Sequence, residues 1–426
     1  MNHAPSPASR VPRLWYGWVI LGVVFLAMCT LIAVRSSFGV FFKFIAGEFG
    51  WSRAETAGAF SAGFLGQALG SPLAGWLMGR WGIRRTMAAG ILATGLAVLT
   101  GAFIHSLWQL YLMYFLLCVG FASGTWVAQV PTLANWFVRR NGLAIGATNS
   151  AQGFALILNI ATPLLIAALG WRASYAVFAA LLLLVTLPLV ALLHRDHPRD
   201  KGTVADAPFL GSAPAATPRA GPGAPGAGET SLLSLRFVLL GGLYAAVAYP
   251  FAAAIVHLVP YATDQGFTPE GAATLLALWG VMMVAANFAS ALSDRIGRTL
   301  IFLIGAAAGV IACVLLAAYT REAPPGIFQA GTALLGMALG LVRPTASSLT
   351  ADHFAGAVLS KVTAACLVCF TLAGAAGPYL SGALYDATGS YRLAFHLMAG
   401  TFVAGAALAG ALRRLGPPGD TRRAGA

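Results

Sequence analysis

Two arginines lie inside segments that are otherwise apolar. Arg35 falls within "WVILGVVFLAMCTLIAVRSSFGVFF", and Arg343 falls within "ALLGMALGLVRPTASSL". A charge inside a long apolar segment costs about 3 kcal/mol or more, so it usually has a partner or a function. The planar guanidinium group can bind both oxygens of one carboxylate at once. These residues therefore predict an anion-binding site, in which Arg343 is the main carboxylate clamp and Arg35 a second cation.

Each arginine also has a purely structural interpretation. At about 1.5 Å per residue from a helix start near residue 14, Arg35 would lie close to the outer face, where its side chain could extend to the interface. Arg343 precedes Pro344, which frees backbone carbonyls that could hold a structural arginine. Both alternatives remain open at the level of the sequence.

The acidic residues lie away from these arginines. All 13 Asp and Glu residues fall in predicted loops or near predicted helix ends. An anionic substrate would balance the positive charge, and the usual relay of protons through membrane carboxylates is not expected. His257 is then the candidate for proton coupling, with a plain hydrogen-bonding role as the alternative.

Several polar or aromatic side chains in apolar segments could line a solute path. Each could equally bridge neighbouring helices, because hydrogen bonds between helices are common in membranes. The candidates are Trp126, Gln129, Asn149, Gln152, Tyr249 and Asn287.

The composition indicates that these residues are held within a lipid bilayer. Hydrophobic residues make up 58% of the 426 residues and charged residues only 9%, whereas soluble domains have about 25% charged residues. The net charge of +13 comes from short basic clusters between apolar segments, a pattern that sets membrane orientation and is unlike a nucleic-acid interface. The five cysteines lie in apolar segments and favour packing over redox or metal chemistry. We expect neither an enzyme nor a cofactor.

The apolar segments predict an all-α membrane protein with twelve helices in two bundles of six. An N-terminal bundle (1–193) and a C-terminal bundle (234–412) are joined by a Pro-, Ala- and Gly-rich linker (194–233), and a short tail follows (413–426). The predicted helices are 14–43, 52–79, 86–104, 107–137, 141–168, 172–193, 234–262, 268–292, 299–319, 326–353, 357–385 and 391–412.

The basic residues predict the orientation. Nineteen of the 26 lysines and arginines fall on the side of the chain ends and five on the opposite side, while Arg35 and Arg343 lie within helices. This bias predicts cytoplasmic N- and C-termini in a multi-pass protein of the plasma (inner) membrane.

Two similar turns mark an internal repeat. The second helix ends in "GWLMGRWGIRR" and the eighth in "SALSDRIGR". This pattern resembles the signature of the major facilitator superfamily, although Gly79 replaces an aspartate that the second copy retains. The resemblance implies two repeated six-helix bundles with a substrate site between them. It also implies that the turns latch the cytoplasmic gate, through the residues Arg80, Arg84, Asp294, Arg295 and Arg298.

Four further stretches resemble the monocarboxylate and oxalate/formate branch: "RSSFGVFFKFI", "NWFVRRNGLAIGATNSAQG", "VHLVPYATDQGF" and "GPYLSGALYDATGSY". The resemblance implies that a cation late in the first helix handles the carboxylate, which is the place of Arg35. The branch tends to carry an Asp and an Arg in the eighth helix, where this chain has Met283 and Asn287. Arg343 would then replace the missing arginine.

The resulting interpretation is a secondary active transporter that moves a small organic anion, a monocarboxylate or a dicarboxylate, by alternating access. It would work as a monomer, as a symporter with protons or an antiporter against a counter-anion. A proton-coupled drug or metabolite exporter of the same fold is the alternative, although the fifth helix lacks the G-P-x-x-G-G motif of such exporters. A membrane sensor or scaffold is a third possibility, but the short loops offer no effector domain.

Overall fold

A computed structural model describes residues 15–138, 140–206, 234–354 and 356–415. Most of the predicted linker, beyond residue 206, and the predicted tail beyond residue 415 lie outside the described residues. The side chain of Asp294 lies outside them as well.

The described residues form twelve long helical rods, several of them interrupted by a local break. The rods are α1 (Tyr16–Phe49), α2 (Arg53–Trp81), α3 (Ile83–Phe103), α4 (Leu107–Trp136), α5 (141–169), α6 (171–193), α7 (Leu235–Asp264), α8 (Pro269–Ala289), α9 (Arg298–Ala318), α10 (Pro325–His353), α11 (Gly356–Thr388) and α12 (Arg392–Leu415).

A backbone break marks the boundary between α5 and α6. Gly170 has φ of +80°, a conformation outside the helical region, and it separates α5 from α6. Within the described ranges, ten helices are long and apolar enough to cross a membrane, with the end of α5 counted together with α6. The other predicted crossings are α2 and the first part of α5.

The low hydropathy of α2 has a packing cause. A Cβ added at Gly66 would lie 2.2 Å from the Phe115 carbonyl oxygen, and one at Gly70 would lie 2.5 Å from that of Val119. Small residues therefore let α2 approach the backbone of α4, as is common where membrane helices pack closely. The same residues dilute the apolar signal that identifies a membrane crossing.

The two halves repeat one packing pattern. In the first half α4 packs against α2 and α3, and in the second half α10 packs against α8 and α9. Likewise α1 contacts α5 and α6, as α7 contacts α11 and α12. Gly82 and Gly297 occupy the repeated turns with φ of +81° and +103°, which glycine adopts without strain. The repeat predicted from the two turns is therefore present in the fold.

The predicted linker begins later than the sequence indicated. Residues 194–206 pack against the first half, where Trp15 Nε1 donates to the Val204 carbonyl at 3.1 Å. Asp206 also accepts a hydrogen bond from the Arg140 N–H at 3.1 Å. A flexible linker starting at residue 194 was therefore wrong for its first part, because these contacts hold the chain after α6.

The helices alternate in direction, so α1 begins and α12 ends on the same side of the protein. We call this the terminal side and the opposite one the distal side. The two halves contact each other through α2 with α11, α5 with α8, and α1 with α7.

Candidate anion-binding site and gate

Arg35 lies at mid-length of α1 and is only 8% exposed. The helix continues past a break at Ser37 to Phe49, beyond the predicted end at residue 43. The expected position near the outer face was therefore wrong, and so was the alternative in which Arg35 extends to the interface. Its Nη1 atom donates to Gln67 Oε1 at 2.9 Å.

The other two nitrogens of this guanidinium are buried. Among the described residues, Arg35 Nε and Nη2 have no hydrogen-bond partner. The Cys118 thiol lies beside them but is only a weak acceptor. The rings of Phe64, Phe121 and Phe60 have centroids 4.6, 5.0 and 5.1 Å from the guanidinium carbon. Arg35 therefore presents an unpaired Nε/Nη2 edge, the edge that binds a carboxylate through two parallel hydrogen bonds.

Arg343 lies within α10 and is partly accessible. Its Nη1 atom donates to the side chain of Gln152, which belongs to α5 in the opposite half. The rings of Trp126, Phe251 and Phe370 have centroids 5.2 to 5.6 Å from its guanidinium carbon. Among the described residues Arg343 donates to no backbone carbonyl, so the structural alternative based on freed carbonyls was wrong.

One aromatic wall connects the two arginines. The α4 rod breaks at Thr125, whose φ of −120° and ψ of −130° are not helical. Phe121 before the break and Trp126 after it pack edge to face at 5.7 Å. Phe121 contacts Arg35 and Trp126 contacts Arg343, so this pair of rings connects the two guanidinium groups. That both cations belong to one anion-binding site stays a prediction.

Other predicted lining residues bridge helices instead. Gln129 Nε2 donates to Asn149 Oδ1 at 3.1 Å, which ties α4 to α5. The hydroxyls of Tyr249 and Ser381 lie 3.4 Å apart and link α7 to α11. The side chain of Asn287 is half-buried and forms no hydrogen bond within the described residues.

His257 is buried away from the arginine pair. Its Nε2 donates to the Pro378 carbonyl at 2.8 Å, which leaves Nδ1 to accept from the Tyr391 hydroxyl at 2.9 Å. The same hydroxyl accepts from Arg53 Nη1 at 2.7 Å. A chain of hydrogen bonds therefore runs from Arg53 to Pro378 through Tyr391 and His257.

This chain begins in a group of ions that joins the two halves on the distal side. Arg53 and Lys43 of the first half pair with Asp264 of the second, at 2.8 and 2.5 Å. Asp386 accepts the backbone N–H groups of Arg53 and Ala54 at 3.0 and 2.8 Å, and so supports the positive N-terminus of α2. We call Lys43, Arg53, Asp264, Asp386 and Tyr391 the distal ion cluster.

Sequence reasoning did not single out the distal ion cluster. Lys43 and Arg53 were counted only among the five basic residues of the side opposite the chain ends, and Asp264 and Asp386 only as acidic residues of loops or helix ends. Both halves have charged residues of opposite sign on the distal side. That pattern could have indicated an ionic contact between the halves, but not which residues pair.

The halves also meet at mid-depth. A Cβ added at Gly153 of α5 would lie 2.5 Å from the Gly280 carbonyl oxygen, and one at Gly280 would lie 2.4 Å from that of Gly153. Backbone therefore contacts backbone between α5 and α8.

The first predicted gating turn makes its contacts within its own half. Arg80 lies over the Trp76 ring at 4.2 Å, and Arg84 Nε donates to the Ala191 carbonyl at 2.8 Å. Asp196 accepts the first N–H groups of α3 at 2.8 and 2.9 Å. Burial raises the pKa of the Asp196 carboxyl, but hydrogen bonds from a neighbouring histidine and these N–H groups outweigh it, so the pKa lies below its usual value.

The second turn behaves in the same way. Arg298 donates to the Ser348 carbonyl at 2.8 Å and pairs with Asp352, both in its own half. Arg295 is exposed, and the side chain of Asp294 lies outside the described residues. No group of His, Cys, Asp and Glu in the described part of the chain could hold a metal ion.

Comparison with known proteins identifies the family to which this architecture belongs. The profile of the Major Facilitator Superfamily matches residues 24–324 and 238–426. The chain belongs to this superfamily. As one of its members it is a multi-pass membrane transporter, as the predicted fold class required.

Within the superfamily, the chain is of the monocarboxylate-transporter type. Monocarboxylate transporter 13 of Bos taurus is 30% identical over 424 residues, which cover 93% of this chain and 88% of the relative. Monocarboxylate transporter 11 of Mus musculus is 29% identical over 417 residues, covering 94% and 89%. The predicted branch is confirmed.

Solved superfamily structures share the fold at low identity. The nucleoside transporter NupG (D323A mutant) superposes with a TM-score of 0.73 at 12% identity, over 93% of this chain and 99% of that one. A bacterial homolog of the human lysosomal transporter Spinster, inward-facing and unoccupied, gives 0.70 at 16%, over 96% and 98%.

Proposed function

We propose that the protein is a secondary active transporter that moves a small organic anion bearing a carboxylate, by alternating access. The observation that carries this proposal is the arginine pair between the halves, because one guanidinium is buried with an unpaired carboxylate-binding edge. Neutral amides and rings surround both cations, so an anion would find no competing carboxylate there. The names of the relatives support a carboxylate as the chemical class.

The inter-half contacts support a defined state of this cycle. The distal ion cluster holds the halves together on one side, whereas the hydrogen bonds and ion pair described above for Arg84 and Arg298 in the gating turns lie within their own halves. With the terminal side in the cytoplasm, as the basic residues favour, this is an inward-facing state of the plasma (inner) membrane protein. Each chain contains its own site between its halves, which is consistent with a functional monomer.

Ligand-induced stabilisation of the purified protein tests the substrate class. Small carboxylates are expected to raise the unfolding temperature, because a ligand that binds only the folded state stabilises it by RT ln(1 + [L]/Kd), where [L] is the free ligand concentration. Lipophilic cations serve as the control. Stabilisation by the cations alone would instead favour the exporter alternative.

We also propose that proton coupling acts through His257 and the distal ion cluster. In the described state the Tyr391 hydroxyl accepts from Arg53 and donates to His257. A proton on Nδ1 would turn this acceptor into a donor, and its charge would repel the nearby guanidinium. Protonation would therefore weaken the closed distal side and favour its opening, which links the proton to the conformational cycle.

Replacing His257 with Gln tests this coupling. The amide keeps a donor and an acceptor but cannot take up a proton, so the pH dependence of uptake is expected to flatten. Uptake would be measured in proteoliposomes between pH 5 and 8, with Tyr249→Phe as a control that removes a neighbouring inter-helix hydrogen bond. An unchanged pH profile would exclude His257 as the coupling group.

A further inference from the structure

Both cations of the site face neutral surroundings. The contacts of Arg35 are the Gln67 amide, the Cys118 thiol and three phenylalanine rings. Those of Arg343 are the Gln152 amide and three further rings. Within the described ranges, the acidic residues that pair with arginines lie at the ends of the helices: Glu48 and Asp264 on the distal side, and Asp352 on the terminal side. The site therefore carries two positive charges and no internal counter-charge.

The surroundings also restrict how an anion can approach. Three aromatic rings surround each guanidinium carbon, with centroids 4.6 to 5.6 Å away. An anion pairs with a guanidinium through its N–H groups, in the plane of the group. One nitrogen of each group is already held by a glutamine, which fixes its orientation. On Arg35 the remaining Nε/Nη2 edge has the width of one carboxylate, and it is buried without a partner.

The arginines belong to different halves of the transporter. Arg35 lies on α1 and Arg343 on α10, while the Phe121 and Trp126 rings of α4 form a continuous surface between them. A carboxylate on one arginine leaves the other buried charge uncompensated, which costs free energy in an apolar site. A second carboxylate on the same molecule would remove that cost.

We infer that the preferred substrate is a dicarboxylate whose two carboxylates each pair with one arginine, one in each half. This inference rests on the proposed transport of carboxylates and narrows it. Such a substrate bridges the two halves, so its binding free energy depends on the distance between the two arginines. The substrate would therefore bind with different affinities to the different conformations of the transport cycle. The apolar wall between the arginines suits the methylene carbons that join the two carboxylates.

Binding to the purified, detergent-solubilised protein tests the inference. The probes are malonate, succinate and glutarate, each compared with the monocarboxylate of equal carbon number: propionate, butyrate and valerate. We expect at least one dicarboxylate to bind at least tenfold more tightly than its partner by calorimetry. Monomethyl succinate, which keeps the length but loses one charge, is expected to bind like butyrate.

Variants at each arginine report which charge is used. Arg35→Gln and Arg343→Gln are each expected to lower the ratio of monocarboxylate to dicarboxylate Kd by tenfold or more. Arg392→Gln, an exposed arginine on α12, should leave that ratio unchanged. Unfolding temperature without ligand identifies any variant that fails to fold, and in that case the wild-type comparison with monomethyl succinate decides.

Three outcomes are distinguishable. A clear dicarboxylate preference that both glutamine variants lose supports the inference. Equal or tighter binding of the monocarboxylates by the wild-type protein overturns it and leaves the proposed function intact. Binding of neither class overturns the proposed function together with the inference.

Discussion

Replacing Arg343 with alanine is expected to reduce carboxylate uptake by about 100-fold or more without preventing membrane insertion. Removing one member of a buried, hydrogen-bonded charge pair costs about 2–5 kcal/mol, and the substrate carboxylate would lose its clamp on the second half. The change also leaves the Gln152 amide without the donor that it binds in this state. Uptake of labelled carboxylates into proteoliposomes would measure the loss.

Two further variants distinguish loss of the charge or the planar geometry of Arg343 from a general loss of protein function. Arg343→Lys keeps the charge but loses the planar pair of donors, so uptake should be intermediate. Arg392→Ala removes an exposed arginine from the same half and should transport normally. Wild-type uptake by Arg343→Ala, with equal amounts of protein in the membrane, would exclude Arg343 as a carboxylate clamp.

Replacing Arg53 with alanine should open the distal side. Arg53 contributes an ion pair to Asp264, a hydrogen bond to Tyr391 and a cation–π contact with Tyr385 at 3.8 Å. Loss of these contacts leaves Asp264 with Lys43 alone and shifts the two-state equilibrium toward distal opening. A shift of about 1.4 kcal/mol would already change the ratio of the two states tenfold.

Cysteine labelling would detect that opening. Ser381 is fully buried one residue from Gly382, whose position packs on the Arg53 backbone. In a protein without its native cysteines, Ser381→Cys should react slowly with a membrane-impermeant maleimide added to the distal side. Arg53→Ala is expected to raise that rate at least tenfold.

A matched ion pair on the same face provides the control. Arg172 pairs with Glu48 at 2.5 Å, but both residues belong to the first half. Arg172→Ala should therefore leave the labelling rate of Ser381→Cys unchanged. Equal rates in the Arg53 and Arg172 variants would mean that the distal ion cluster does not hold this side closed.

Most of the fold could be predicted from the sequence because a lipid bilayer requires long apolar helices, and each of these appears in the sequence as a continuous apolar segment. The prediction placed Arg35 badly because the predicted first helix ended at residue 43, whereas α1 continues to Phe49. Residues 194–206 resembled a linker by composition, and their contacts with the first half depend on the folded surface.

The site was predictable by residue type but not by partner. A charged residue inside an apolar segment is easy to recognise, so Arg35 and Arg343 could be identified as candidate site residues from the sequence alone. That Gln67 holds one and Gln152 the other depends on the packing of separate helices. Gln129 had the same signal as Gln152, yet it bonds Asn149 and bridges helices.

The contact between Gly153 and Gly280 limits how this protein can diversify. Residues around the arginines can change with the solute, since an altered ring or amide changes only the fit of the ligand. At the two glycines even one added methyl group would clash with the backbone of the facing helix and push α5 and α8 apart. This contact between the halves is made by two backbones, so it offers no side chain that could vary.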